Sequence, residues 1–124
     1  MEKENTVKYQ TVTVTVPNGT TTAQSIVTSI TLDNAYAKAD GIVVYNLDPT
    51  NPLTLRMGLQ NDAGTIIQNL TFIDDFLGDV AVAADLRYKQ LDQTAKNRVL
   101  TITTQPTVNI TTDLVFDVIF RLKK

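Results

Sequence analysis

Apolar and polar residues alternate along most of this chain, and the alternation has the period of two that belongs to a strand with one buried and one wet face. The cleanest run is Leu114, Phe116, Val118, Phe120 and Leu122. Burying such side chains is worth roughly 1.5–3 kcal/mol each, so residues 114–122 are predicted to lie mid-sheet. A second run, Leu53, Leu55, Met57 and Leu59, leads into Asn61-Asp62-Ala63-Gly64, a segment that tolerates tight or left-handed backbone. The β-branched stretch Thr65 to Ile73 then returns, so Leu53 to Ile73 reads as a hairpin. Residues 42–47 (Ile42-Val43-Val44-Tyr45-Asn46-Leu47) are apolar on both parities, which predicts a central strand covered on both sides.

The remaining segments are weaker. Val7 and Tyr9 lie on one parity and Val12, Val14 and Val16 on the other, so the strand at 6–16 is expected to bulge or bend. After the turn Pro17-Asn18-Gly19, residues 20–32 form a second strand with Ile26, Ile30 and Leu32 on one face. The two strands together suggest a Thr-rich outer hairpin over 10–31, a natural projecting or clasping element. Residues 33–41 read as a loop closed by Gly41. Residues 74–79 read as a loop with Phe76 and Leu77 as anchors, and Val80 to Ala84 as strand or helix. A strand is expected at 85–91, a polar turn at 92–97, another strand at 98–104 with Leu100 and Ile102 inward, and a brief pairing at Val108-Asn109-Ile110.

About eight strands and no long helix predict an all-β fold: a two-sheet antiparallel β-sandwich, jelly-roll-like, over a single domain, 1–124, with residues 1–5 as a flexible tail. An immunoglobulin-like sandwich is the alternative, although its Trp and disulfide landmarks are missing. Composition agrees. The 124 residues include twenty Thr, the side chain an exposed pleated face tends to carry. With 43% hydrophobic and 19% charged residues, the chain has the balance of a folded globular domain.

Charge and chemistry narrow the function. Net charge is −2 and the eleven basic residues are scattered apart from Lys123 and Lys124, so nucleic acid is not an expected partner. Met1 to Asn5 is polar with no apolar segment behind it, and no run approaches the roughly 20 residues of a membrane span; a soluble, cytoplasmically made chain is expected. Without His or Cys, the usual nucleophilic triads and most transition-metal sites cannot form.

Carboxylates remain. Asp74, Asp75, Asp79 and Asp85 fall within twelve residues, and oxygen-rich loops can bind calcium, but their spacing fits no EF-hand and their neighbours are Phe76 and Leu77. A solvated acidic loop pinned by two apolar residues accounts for them better. Eleven Asp and two Glu make some carboxylate pair inevitable, so no glycosidase-like pair is assigned, Asp33 and Asp40 beside Tyr36 included. No catalytic residue, metal or cofactor is expected. Three Asn-X-Thr sequons, at Asn18, Asn69 and Asn109, are what abundant Thr yields by chance.

Two contact sites follow instead. The second face of the last strand carries Val115, Asp117, Ile119 and Arg121; two apolar residues on a nominally wet side predict that a loop or another subunit covers it. Tyr36, in a loop, is the tyrosine expected to be exposed for binding.

In architecture, this Cys-, His- and Trp-free, Thr-rich sandwich ending on its last strand resembles the small accessory structural proteins of bacteriophage particles: capsid decoration proteins, head-fibre bases and single jelly-roll spikes. The nearest segments are Leu32 to Asn46 (LDNAYAKADGIVVYN) and Asp113 to Lys124 (DLVFDVIFRLKK). The resemblance implies a non-enzymatic virion protein that works by contact with itself and with a major capsid or other virion protein. It also implies a homo-oligomer, a trimer before other closed forms. A carbohydrate- or receptor-binding sandwich presenting Tyr36 is the alternative.

Overall fold

The computed structural model describes residues 7–33, 35–48, 50–61, 66–77, 89–94 and 99–124, with backbone alone for 66–68, 74–75 and 89–94. Eight strands are present among them: β1 (Val7–Val16), β2 (Ile26–Thr31), β3 (Lys38–Asn46), β4 (Leu55–Gln60), β5 (Ile66–Phe72), β6 (Lys89–Thr94), β7 (Val99–Pro106) and β8 (Leu114–Lys123). One 3-10 turn, Ile73–Phe76, follows β5. The strands form two antiparallel four-stranded sheets, sheet A in the order β1-β8-β3-β6 and sheet B in the order β2-β7-β4-β5. The expected tail at 1–5, the hairpin turn at 62–64, Val80 to Ala84 and the first half of the strand expected at 85–91 lie outside the described residues.

The pairing is nested. β4 pairs with β5, β3 with β6, β2 with β7 and β1 with β8, as in one long hairpin folded over on itself. Two further pairings, β3 with β8 and β4 with β7, join the halves of each sheet. Except at the β4–β5 hairpin, each strand is therefore followed by one in the opposite sheet.

The core fills the space between the sheets. From β8 come Leu114, Phe116, Val118, Phe120 and Leu122; β3 adds Ile42 and Val44, β4 Leu55, Met57 and Leu59, and β7 Leu100 and Ile102. β8 and β3 are interior strands, as their sequences predict, and Ile42, Val43 and Val44 are all fully buried. Asp40 is the extra residue of a bulge in β3, between Ala39 opposite Leu122 and Gly41 opposite Arg121. A bulge re-aims a side chain, and here Asp40 Oδ1 accepts from Arg121 Nε at 2.8 Å. The 3-10 turn plugs one end with Phe76, which is buried, whereas Leu77, the other expected anchor, is 38% exposed.

Three expectations are corrected. β1 neither bulges nor passes between sheets: it pairs with β8 in unbroken register from Val7 to Val16. Its change of parity arises because the inward positions near its start are taken by polar side chains. Gln10 Nε2 donates to the Thr31 carbonyl at 2.7 Å, Gln10 Oε1 accepts from the Asp33 N–H at 3.0 Å, and Lys8 Nζ donates to Asp33 Oδ2 at 2.6 Å. This leaves Val7 and Tyr9 on the wet face. Next, β1 and β2 are not a hairpin, because each pairs with a strand near the C-terminus, in different sheets. Residues 20–25 are turn rather than strand, and Gly19, at φ +94°, supplies a left-handed step that L side chains rarely adopt. Finally, Lys38–Gly41 and Asp92–Thr94 belong to strands β3 and β6, where Lys38 pairs with Thr94, Ala39 with Gln93 and Gly41 with Gln90. Polar composition disguised both segments as loops.

Candidate functional site: three contact surfaces

The outer face of sheet A carries the row predicted on β8. Val115, Asp117, Ile119 and Arg121 are all half-buried. Across the sheet, Asp117 lies between Thr13 on β1 and Tyr45 on β3, and Ile119 between Thr11 and Val43. Thr13 Oγ1 donates to Asp117 Oδ1 at 2.6 Å, and Arg121 is engaged by Asp40. Val43 shares the parity of Ile119 and is nonetheless fully buried, so this face is shielded at its centre. Both polar residues of the row thus have partners within the chain.

Tyr36 lies at the end of the sandwich where β1 begins and β8 finishes. It is half-buried rather than exposed, and it packs against the core. Lys124 Nζ sits 5.7 Å from its ring centroid, a cation–π arrangement. Beside it, the carboxylate of Asp33 accepts from Lys8 Nζ at 2.6 Å and from the Ala35 N–H at 2.9 Å. These bonds favour the charged forms: the Lys8 hydrogen bond first, then the Ala35 N–H, hold the Asp33 carboxyl below its usual range, and the bond to Asp33 raises the Lys8 ammonium. The cluster closes a corner of the fold and leaves little of the Tyr36 ring as a flat binding platform.

The third surface was not predicted. Turns 17–25 and 107–113, the segments 47–48 and 50–54 and the 3-10 turn meet at the opposite end. They are tied by the Gly19 N–H to the Ile110 carbonyl (2.8 Å), the Ile110 N–H to the Thr20 carbonyl (2.9 Å) and the Thr107 N–H to the Thr54 carbonyl (2.8 Å). Asp113 Oδ1 accepts from the Asn18 N–H at 2.7 Å. Here Leu47, Phe72 and Val108 are each more than half exposed, and Leu77 is 38% exposed. Phe72 and Leu77 line a cleft of about 380 Å³ with Asn46, Pro52, Leu53 and Thr54. A smaller cleft, about 210 Å³, lies across the Pro52–Thr54 ridge beside Val108 and Ile110. Phe72 is stacked by Arg56, 5.3 Å from guanidinium to ring centroid. Leu70 and Phe72 alternate outward along β5, a signal present in the sequence; what the sequence lacks is the meeting of four loops that places Leu47, Leu77 and Val108 nearby.

A wider hollow of about 500 Å³ between Pro17–Thr20 and Gln24–Ile26 is lined mainly by amide and hydroxyl groups. Among the described residues no three carboxylates gather as metal ligands. Asp79 and Asp85, and the side chains of Asp74 and Asp75, are outside the description. No helix among the described residues is long and apolar enough to cross a membrane. The chemistry on view is contact chemistry: apolar clefts, a hydroxyl-lined hollow and a tied polar row. Comparison with protein-family models gives no match, and comparison with curated proteins gives none.

Proposed function

We propose that the sandwich is a jelly roll and that the chain is a non-enzymatic structural protein of a virus particle, of the capsid-decoration or head-fibre kind. The supporting observation is the nested pairing, first strand with last and so inward to the β4–β5 hairpin. Such nesting supports an eight-stranded jelly roll, an architecture recurrent in viral capsids and lectins. Exposed Leu47, Phe72, Leu77 and Val108 at one end supply apolar contact area of the kind protein interfaces use. Closed homo-oligomers, the trimer among them, and docking on a capsid protein are the modes of action this proposal entails.

Light scattering after size exclusion measures the first, and co-sedimentation with shells assembled from the major capsid protein of the same genome measures the second. An oligomer that pellets with the shells is expected. A monomer that stays in the supernatant would overturn the proposal.

A carbohydrate- or receptor-binding sandwich is the second possibility, favoured by the hydroxyl- and amide-lined hollow at Asn18, Thr20, Gln24 and Ser25. It predicts binding on a glycan array that Gln24→Ala abolishes. A blank array removes the carbohydrate form of it.

A further inference from the structure

The four sheet edges are not equally protected. β5 pairs with β4 through two register shifts, β6 is six residues long with Lys89 and Asp92 and meets β3 across a bulge, and β2 is also six residues. Short length, charge and irregular register are the devices by which natural sheets discourage a further strand. Among the described residues, β1 is neither short nor irregular and carries one charge alone. It runs for ten residues at the edge of sheet A, in unbroken register with β8, with no proline before Pro17. Its single charge, Lys8, lies near one end and is matched by Asp33.

The sequence of this edge is self-complementary. Gln10 to Val16 reads Q-T-V-T-V-T-V, with Thr11, Thr13 and Thr15 exposed on the outer face and Val12, Val14 and Val16 on the inner parity. Two identical edge strands related by a twofold axis must run antiparallel, and directly opposed residues then share a face. With the axis at Thr13, Thr11 opposes Thr15 of the second copy and Val12 opposes Val14, so hydroxyl meets hydroxyl and methyl meets methyl. Cross-strand pairs of both kinds are favourable. The two lysines at position 8 fall at opposite margins and never meet.

We infer that β1 pairs with β1 of a second copy about a twofold axis at Thr13, joining two copies of sheet A into one continuous eight-stranded sheet. The inference rests on the proposed self-assembling function and names one interface of it. A threefold contact elsewhere would turn the resulting dimer into a hexamer, but the twofold contact halves the mass in either case when broken.

Three changes on exposed positions of β1 test this in the full chain. Thr11→Lys combined with Thr15→Lys sets lysine against lysine twice in the dimer while leaving the monomer's core untouched, so the light-scattering mass should fall twofold with cooperative unfolding retained and with the concentration dependence that this contact gives the midpoint lost. Thr11→Glu with Thr15→Lys places opposite charges together in this register and should keep the wild-type mass. Because the chain has no cysteine, Thr13→Cys should cross-link to itself under mild oxidation, since opposed strand residues lie within disulfide reach, roughly 4.5–5.5 Å between Cα atoms. Thr11→Cys alone should not cross-link, whereas Thr11→Cys mixed with Thr15→Cys should. An oligomer indifferent to the lysine pair, or an uncross-linked Thr13→Cys, overturns the β1 contact and leaves the proposed function standing. A wild-type monomer overturns both the contact and the self-assembly in that function.

Discussion

Gln10 offers a sharp test of how the two sheets are fastened at their shared corner. Its amide bonds both ways, donating to the Thr31 carbonyl at 2.7 Å and accepting from the Asp33 N–H at 3.0 Å. Gln10→Leu keeps the volume of the side chain and removes both bonds. Each net hydrogen bond is worth about 0.5–1.5 kcal/mol, and the half-buried Asp33 amide is left to find water. Leucine returns about 0.5 kcal/mol through its apolar area at a half-buried position.

The balance is a loss of about 0.5–2.5 kcal/mol. With a urea m-value of about 1.5 kcal/mol/M for a domain of this size, the midpoint should drop by about 0.3–1.7 M at unchanged m. Tyrosine fluorescence follows the transition, and amide exchange at Asp33 should quicken by more than at the β8 amides. Gln10→Glu, which keeps the acceptor and loses the donor, should fall between the two. A Gln10→Leu protein with the wild-type midpoint would refute the idea that this amide, rather than the valines beside it, fixes the start of β1 to the end of β2.

Phe120→Ala, in the middle of β8 at 0% exposure, should cost about 3–5 kcal/mol by leaving a cavity between the sheets, read from the same urea titration. Gly19→Ala should cost about 1–2 kcal/mol from backbone strain alone, because nothing lies within 4 Å of the added methyl and the loss comes from φ +94°. The Lys8–Asp33 pair gives a small pH dependence with a defined sign. The lowered Asp33 carboxyl contributes above its unfolded pKa and loses that contribution as pH falls through the folded one. The raised Lys8 ammonium contributes below its unfolded pKa and loses it as pH rises through the folded one. Asp33→Asn should therefore flatten the acid limb of a melting-temperature profile, and added salt should shrink the wild-type difference.

Strands with a filled inward parity were legible from residues alone: Leu114 to Leu122, Leu55 to Leu59, and the doubly apolar Ile42-Val43-Val44. In each case burial is a property of the local pattern. Where pairing partners were at issue, locality failed. Val12 to Val16 and Ile26 to Ile30 look like a hairpin because they are neighbours in sequence, yet their partners lie on β8 and β7. Lys8 and Gln10 broke the alternation because a polar side chain at a sandwich margin can face inward and still reach a carbonyl and an amide. Asp92 was read as turn because an edge strand needs its backbone more than its side chains. Leu47, Leu77 and Val108 belong to three separate loops, and no local pattern brings them together. Tyr36 looked exposed because a loop position says nothing of the Lys124 ammonium above its ring.

The central place of β8 has a consequence for how the protein is made. β8 divides sheet A, with β1 on one side and β3 on the other, so until β8 is made the nascent chain holds two long strands with nothing between them. Thr13 and Asp117 are 104 residues apart, and at ribosomal rates that stretch takes about 5–20 s to produce. During that wait a half-made molecule can find the missing neighbour only in another chain. Heavy translation of this message should thus load the cell with sticky unfinished copies, and slowing elongation between β3 and β8 should lower the soluble yield rather than raise it.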